Sequence, residues 1–241
     1  MKLLFLYYDI MNLYGETGNM RVLERHLRDQ GLEIKIEGKT LGDDIDFSQY
    51  DFIYCGSGTE RSQKAVLRHL LPYREQLAAV AENGVPMLFT GNSCEMLGKS
   101  ITDGKGTVHE GLGLLGFTVT ELADTRFTGD VIATTELVEA PVVGFINKCS
   151  LLQNVDSPLF QLQMGHGNTQ DTKEEGFRFH NLLGTHLIGP LLVKNPAVME
   201  WVVNVIGERQ EGFSYRTIHY EYEEKAYLTT YTALKQRLNT K

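Results

Sequence analysis

Residues Pro86 to Lys99 read PMLFTGNSCEMLGK: an apolar run, then small turn-forming residues, then a segment of helical character. The pattern predicts a buried strand ending in a tight elbow that opens a helix from Gly91 onward. An elbow at the end of a buried strand presents its residue above the sheet, and free N–H groups at the helix start can stabilise an oxyanion. The residue at that elbow therefore decides the chemistry.

Working outward, apolar runs bounded by turn residues alternate with amphipathic stretches, the signature of a sheet flanked by helices. Strands are expected at Leu3 to Tyr8, Leu32 to Ile36, Phe52 to Cys55 and Val85 to Thr90. Helices are expected at Asn19 to Asp29 and Arg61 to Asn83, the latter broken at Pro72. From about Thr107 the helical pattern gives way to short strands, including Gly116 to Glu121, Gly129 to Thr135 and Val142 to Ile146, which predict antiparallel additions. Asn195-Pro196 opens a helix with Val198, Trp201, Val202 and Val205 on one face and Gly207 as its stop, and a last helix runs near Glu221 to Leu238. The expected fold is α/β: a central, mostly parallel sheet flanked by helices, with added antiparallel strands and a C-terminal helical extension. Residues 1–207 form the main domain and 208–241 its extension.

With 241 residues, 42% of them hydrophobic, the chain can bury a full core. A formal charge of −8 without a basic run argues against nucleic acid as a partner. The opening MKLLFLYYD is cut short by Asp9, so it reads as a first strand rather than a signal peptide. No stretch approaches the length of a membrane-spanning helix, which predicts no direct membrane insertion. Cys55, Cys94 and Cys149 are widely spaced and form neither a metal pair nor a disulfide framework, consistent with a reducing cytoplasm. His26, His69, His109, His166, His180 and His219 lack metal-ligand spacing, so no metal is expected and hydrogen-bonded structural roles are their default. The acidic Glu221, Glu223 and Glu224 read as a solvated turn complementing the last helix's dipole, or as the rim of an interface.

Three further segments, LYGETGN (Leu13 to Asn19), GSGTERSQ (Gly56 to Gln63) and HGNTQDTKEEGFRFHNLLGTHLIGPLLVKNP (His166 to Pro196), join the elbow in raising a resemblance. Their order and spacing resemble the class I glutamine amidotransferases of the cobyric acid synthase type. Within that group the likeness is greatest to the glutaminase subunits that pair with a MurT-like Mur ligase to amidate the stem-peptide glutamate of lipid II. The resemblance implies a class I amidotransferase fold, no cofactor on this chain, a Mur ligase-like partner that binds any ATP, and glutamine as substrate if the site is active. Amidation of a corrin ring carboxylate, in the manner of cobyric acid synthase itself, is a further alternative. It normally needs a fused synthetase domain for which 241 residues leave no room.

In such enzymes the elbow reads C-G-G-Y-Q-x-L-G-K and the late motif G-T-Y-L-H-G-P. Aligning Leu97, Gly98 and Lys99 places the nucleophile position at Gly91, and counting from Pro86 gives the same register. Ile188 then holds the histidine position. Glutamine hydrolysis needs a thiolate to attack the carboxamide and an imidazole to activate it and protonate departing ammonia. Glycine and isoleucine do neither, so a degenerate glutaminase is one expectation. The other is a displaced dyad of Cys94 and His186, offset by three residues along a helix and two along a strand, spacings that keep similar facings.

The resemblance also places Arg126, in DTRFTGD, near the glutamine pocket, where a guanidinium could pair with a substrate carboxylate. It makes Gly56, Ser57 and Gly58 the loop that supplies an oxyanion N–H. Ser93 to Ser100 (SCEMLGKS) nearly matches a phosphate-binding loop, but it starts on serine and its interior is helical in character, so no phosphate site is expected there.

Overall fold

The structure, a computed structural model, describes residues 1–240. Its centre is a six-stranded sheet ordered β13-β14-β4-β3-β1-β2, built from β1 (Lys2–Leu6), β2 (Lys35–Lys39), β3 (Phe52–Cys55), β4 (Met87–Thr90), β13 (Phe177–Phe179) and β14 (Leu182–Thr185). All neighbouring pairs are parallel except the edge pair β13 and β14. Its central strands are apolar on both faces, as helices on both sides require. Leu4, Leu6, Ile53, Cys55, Met87 and Phe89 face one core, while Leu3, Phe5, Phe52, Tyr54 and Leu88 face the other. Helices α2 (Glu60–Leu70) and α3 (Arg74–Glu82) cover the first face. Between them a 3-10 turn at Leu71–Tyr73 accommodates Pro72. The second face is covered by α1 (Thr17–Asp29), α4 (Leu191–Lys194) and α5 (Pro196–Gly207).

The short strands assemble into two further four-stranded sheets. One contains β5 (Ser100–Thr102), β6 (Val108–Glu110), β7 (Thr118–Glu121) and β10 (Ser150–Gln153). The other contains β8 (Phe127–Thr135), β9 (Val138–Lys148), β11 (Phe160–Met164) and β12 (Glu174–Glu175). In the second, Val131, Ala133 and Val142 point into the central core. Ile132 and Val143 point outward and are covered by Tyr227, Tyr231, Leu234 and Leu238 of α6 (Glu221–Asn239), which recur at helical spacing.

Several details differ from the sequence expectation. Strand β2 begins three residues later than the predicted Leu32 start, and α5 buries Val198, Met199, Val202, Val203 and Ile206, with Trp201 only partly covered. Trp201 instead carries the Arg178 guanidinium 5.6 Å over its ring. The elbow does not open an α-helix: Gly91–Leu97 is 3-10. Ser93 donates its hydroxyl to the carbonyls of both Thr90 and Cys55, both at 2.9 Å, which tightens the turn. The buried Glu95 and the close packing of Gly98 on Phe117 then draw the chain into β5. Glu223 is not a solvated end residue; it bonds His26 of α1 at 2.9 Å, and His26 stacks on Tyr220 at 3.8 Å.

Candidate active site

Strand β4 ends at Thr90, and Gly91 follows with φ +62°, the left-handed conformation expected of an elbow residue. Nothing projects from it. A Cβ built there would lie 2.4 Å from both Cβ and Oγ of Ser57 and 3.3 Å from Cγ2 of Ile188. The space a nucleophile's side chain would take is filled by those two residues. Ile188 is 3% exposed and donates its backbone N–H to Phe145 at 2.9 Å, so it is fixed in place.

The Gly56–Ser57–Gly58 turn at the end of β3 faces the elbow, and the N–H groups of Ser57 and Gly58 are already used. Ser57 N–H donates to Glu16 Oε1 at 3.3 Å, and Gly58 N–H to Asn92 Oδ1 at 3.0 Å. Asn92 also donates its Nδ2 to the Gly58 carbonyl at 2.9 Å and accepts the Ser57 hydroxyl at 3.3 Å. An oxyanion hole needs donors aimed at an open position. Here protein side chains occupy those donors.

Cys94 and His186 do meet: the sulfur lies 3.9 Å from Nε2. Their surroundings are those of a core. Cys94 is 0% and His186 2% exposed. Nε2 lies closer to Glu95 Oε1, at 3.0 Å, and Nδ1 lies 3.3 Å from Glu175 Oε1. Glu95 accepts further bonds from Gln63 at 2.6 Å and from the Ser150 hydroxyl, and Glu175 from the Thr185 hydroxyl at 2.6 Å. Lys148, 4% exposed, donates to the Gly167 carbonyl at 2.7 Å. Two carboxylates and an imidazole thus form a hydrogen-bonded interior cluster, with the Lys148 ammonium buried close by.

Burial opposes charge on His186, but its contact with Cys94 and its bond to Glu175 hold its pKa well above the ordinary histidine value. Burial pushes the Cys94 thiol up, outweighing the pull of His186. The two groups titrate against each other, and burial works against charge on both. What opposes a nucleophilic role is access: Cys94, at 0% exposed, presents no surface to a substrate.

Beside the elbow opens a cavity of about 280 Å³ whose lining includes Tyr14, Ser57, Glu60, Asn92, Arg126 and Cys149. Arg126 stands in its wall, bonded to Glu60 at 2.6 Å and to Asn147 at 3.1 Å, and Asn147 donates in turn to the Tyr14 hydroxyl at 2.9 Å. Cys149 donates its thiol to Glu60 at 3.4 Å; burial, then the Glu60 charge, push it up to about 12. Burial works to raise the Glu60 carboxyl, but its own backbone N–H and the Arg126 guanidinium hold it below the usual range.

The structure thus brings Ser57, Gly91 and Ile188 together at the elbow, pairs Cys94 with His186 beneath it, and sets Arg126 in the cavity wall. Gly56 lies against Glu16, where a Cβ would stand 2.4 Å from Glu16 Cγ. Sequence reasoning missed Glu95, Glu175 and Lys148 of the buried cluster and Glu60, Asn147 and Cys149 of the cavity. The one signal available was the density of acidic residues in TKEEGF, which a charged surface turn explains equally well. The Ser93–Ser100 stretch is a buried turn as far as Gly98, with no open phosphate-wrapping loop.

An elbow above a parallel sheet, a glycine turn facing it and a cavity between them are the architecture of a glutamine amidotransferase. Residues 2–196 match the CobB/CobQ-like glutamine amidotransferase domain family, and the chain belongs to that family. Over 202 residues it is 30% identical to subunit GatD of the glutamine-hydrolyzing lipid II isoglutaminyl synthase of Staphylococcus aureus strain N315, covering 84% of this chain and 82% of that one. The corresponding GatD subunit of Streptococcus pneumoniae strain ATCC BAA-255 / R6 is 27% identical over 218 residues, 90% of this chain and 84% of that one. Among solved structures, a glutamine amidotransferase from Thermotoga maritima superposes with a TM-score of 0.51 at 12% identity, covering 99% of this chain and 97% of that one. At that identity the likeness is one of fold.

Proposed function

We propose that this chain is a GatD-like subunit that works with a MurT-like Mur ligase in amidating the lipid II peptidoglycan precursor, and that its own glutaminase step is lost. The identity to two GatD subunits along most of the chain supports the role. The observation that carries the loss is the filled elbow, where Ser57 and Ile188 occupy the space in front of Gly91. In this reading residues 1–207 are the amidotransferase-like domain, 208–241 its extension, and the pair works in the cytoplasm. Among the described residues no helix is long and apolar enough to cross a membrane. The ligase partner binds ATP and activates the acceptor carboxylate, and free ammonia replaces the ammonia that glutamine would supply.

A second reading, an active glutaminase built on Cys94 and His186, is favoured by their 3.9 Å contact. It is opposed by their burial, which closes the sulfur to a substrate. Isotope tracing in the reconstituted pair separates the two. Given amide-15N glutamine and unlabelled ammonium, the product should carry no 15N; with 15N-ammonium and unlabelled glutamine it should be labelled. Transfer of the glutamine amide nitrogen into product would overturn the proposal.

A further inference from the structure

The Gly56–Ser57–Gly58 turn rests on a buried acid that the site chemistry does not use. Glu16, the residue preceding α1, is 0% exposed. Its Oε1 accepts the Ser57 N–H, while its Oε2 is buried with no hydrogen-bond partner. Gly56 has no Cβ to hold the turn off, and the backbone packs directly on Glu16 Cγ. The titratable groups facing Glu16 are Tyr54 and Cys55 of β3 and Tyr14 of its own loop, and none of them is a cation. The nearby Arg126 is committed to Glu60. A buried carboxyl without a counter-charge disfavours its ionised form, and an orphaned oxygen marks strain that the surroundings must absorb.

We propose that Glu16 is a proton-sensitive clasp that sets how tightly the Ser57 turn is held over Gly91. Protonated, the side chain is neutral and stays beneath the turn, accepting the Ser57 N–H through Oε1. Ionised, it carries an uncompensated charge whose relief lies in moving toward water, which releases the Ser57 N–H and leaves the turn pinned by Asn92 and by the Leu13 N–H on the Ser57 carbonyl. Burial pushes the carboxyl up to about 7, with the Ser57 N–H pulling the other way, so the two states exchange near neutrality. The elbow is closed in acid and looser in base. The clasp depends only on the turn's own contacts, so it stands or falls independently of whether glutamine is hydrolysed.

The test is an NMR titration of the full chain that follows the Glu16 side-chain carboxyl carbon together with the Ser57 and Gly58 amides. The clasp predicts one shared midpoint near 7 for all three signals. It also predicts that Ser57 amide exchange, corrected for base catalysis, rises roughly tenfold across neutrality, as a local opening would produce. In Glu16→Gln, which keeps an acceptor and cannot ionise, the Ser57 and Gly58 midpoint should vanish. A Glu16 carboxyl titrating in the ordinary carboxylate range overturns the clasp. So does a Ser57 amide indifferent to that titration, or one that keeps its midpoint in the variant. The wild-type titration decides the matter even if the variant folds poorly.

Discussion

Ser57 and Gly91 meet across the elbow so closely that a Cβ on Gly91 would stand 2.4 Å from the Ser57 side chain. The nucleophile's place cannot be refilled by changing one residue. Gly91→Cys forces a side chain into the left-handed region and against Ser57, so it should destabilise the fold by about 1–3 kcal/mol, the usual cost of overpacking a core. Gly91→Cys combined with Ser57→Gly should recover part of that loss. Urea denaturation of the two variants measures it, and equal midpoints would mean that Ser57 does not fill the site.

The His186 cluster should behave as an interior ion network. His186→Ala removes the group that bridges Glu95 and Glu175, a change that typically costs about 3–5 kcal/mol. The sign of the pH effect follows from the raised pKa. The native state holds the proton more tightly than the unfolded chain does. The stabilisation is therefore complete below the unfolded histidine pKa and is lost as pH rises through the higher native value. Chemical denaturation at a series of alkaline pH values should show stability falling in wild type, and falling less in His186→Ala.

Glu16 should leave its own mark on stability. Its carboxyl is raised from 4.5 to about 7, so the native state binds the proton more tightly and stability declines as pH climbs through that window. At 1.36 kcal/mol per pKa unit the decline is about 3 kcal/mol at most, less any share recovered by local opening. Glu16→Gln should flatten the stability curve between those values. An unchanged curve in the variant would assign the decline to another group.

Much of this fold could be read from residue order, and little of the site's electrostatics could. Strand β3 falls on the expected Phe52 to Cys55, and α6 lies within a residue of its predicted end, because alternating burial and helical spacing are local signals. The 3-10 course after Gly91 was not legible, since it depends on the Ser93 hydroxyl reaching the Cys55 carbonyl on a neighbouring strand. The cluster around His186 was not legible either. It draws Glu95 from the elbow, Lys148 from the end of β9 and Glu175 from β12, residues brought together by sheet pairing rather than by spacing. Arg126 was singled out, but its partner Glu60 lies 66 residues away and carries no motif that announces the pair.

Thiol chemistry should rank the three cysteines by access. Cys55 and Cys94 are fully buried, whereas Cys149 is half-buried and lines the cavity. Iodoacetamide should alkylate Cys149 first, and slowly, because its thiol is pushed up to about 12 and the thiolate is the nucleophile. Peptide mass spectrometry of the native protein reads the order. Rapid labelling of Cys94 at neutral pH would show an open, low-pKa thiol where the structure places a sealed one.

The central claim is that this subunit carries an amidotransferase fold without its hydrolytic step. The direct measurement is ammonia release from glutamine by the chain bound to its ligase partner, run beside the same complex carrying Cys94→Ala. The account predicts no release above background in either. Release by the wild-type complex that disappears in Cys94→Ala would contradict it and establish the Cys94 and His186 pair as the catalyst.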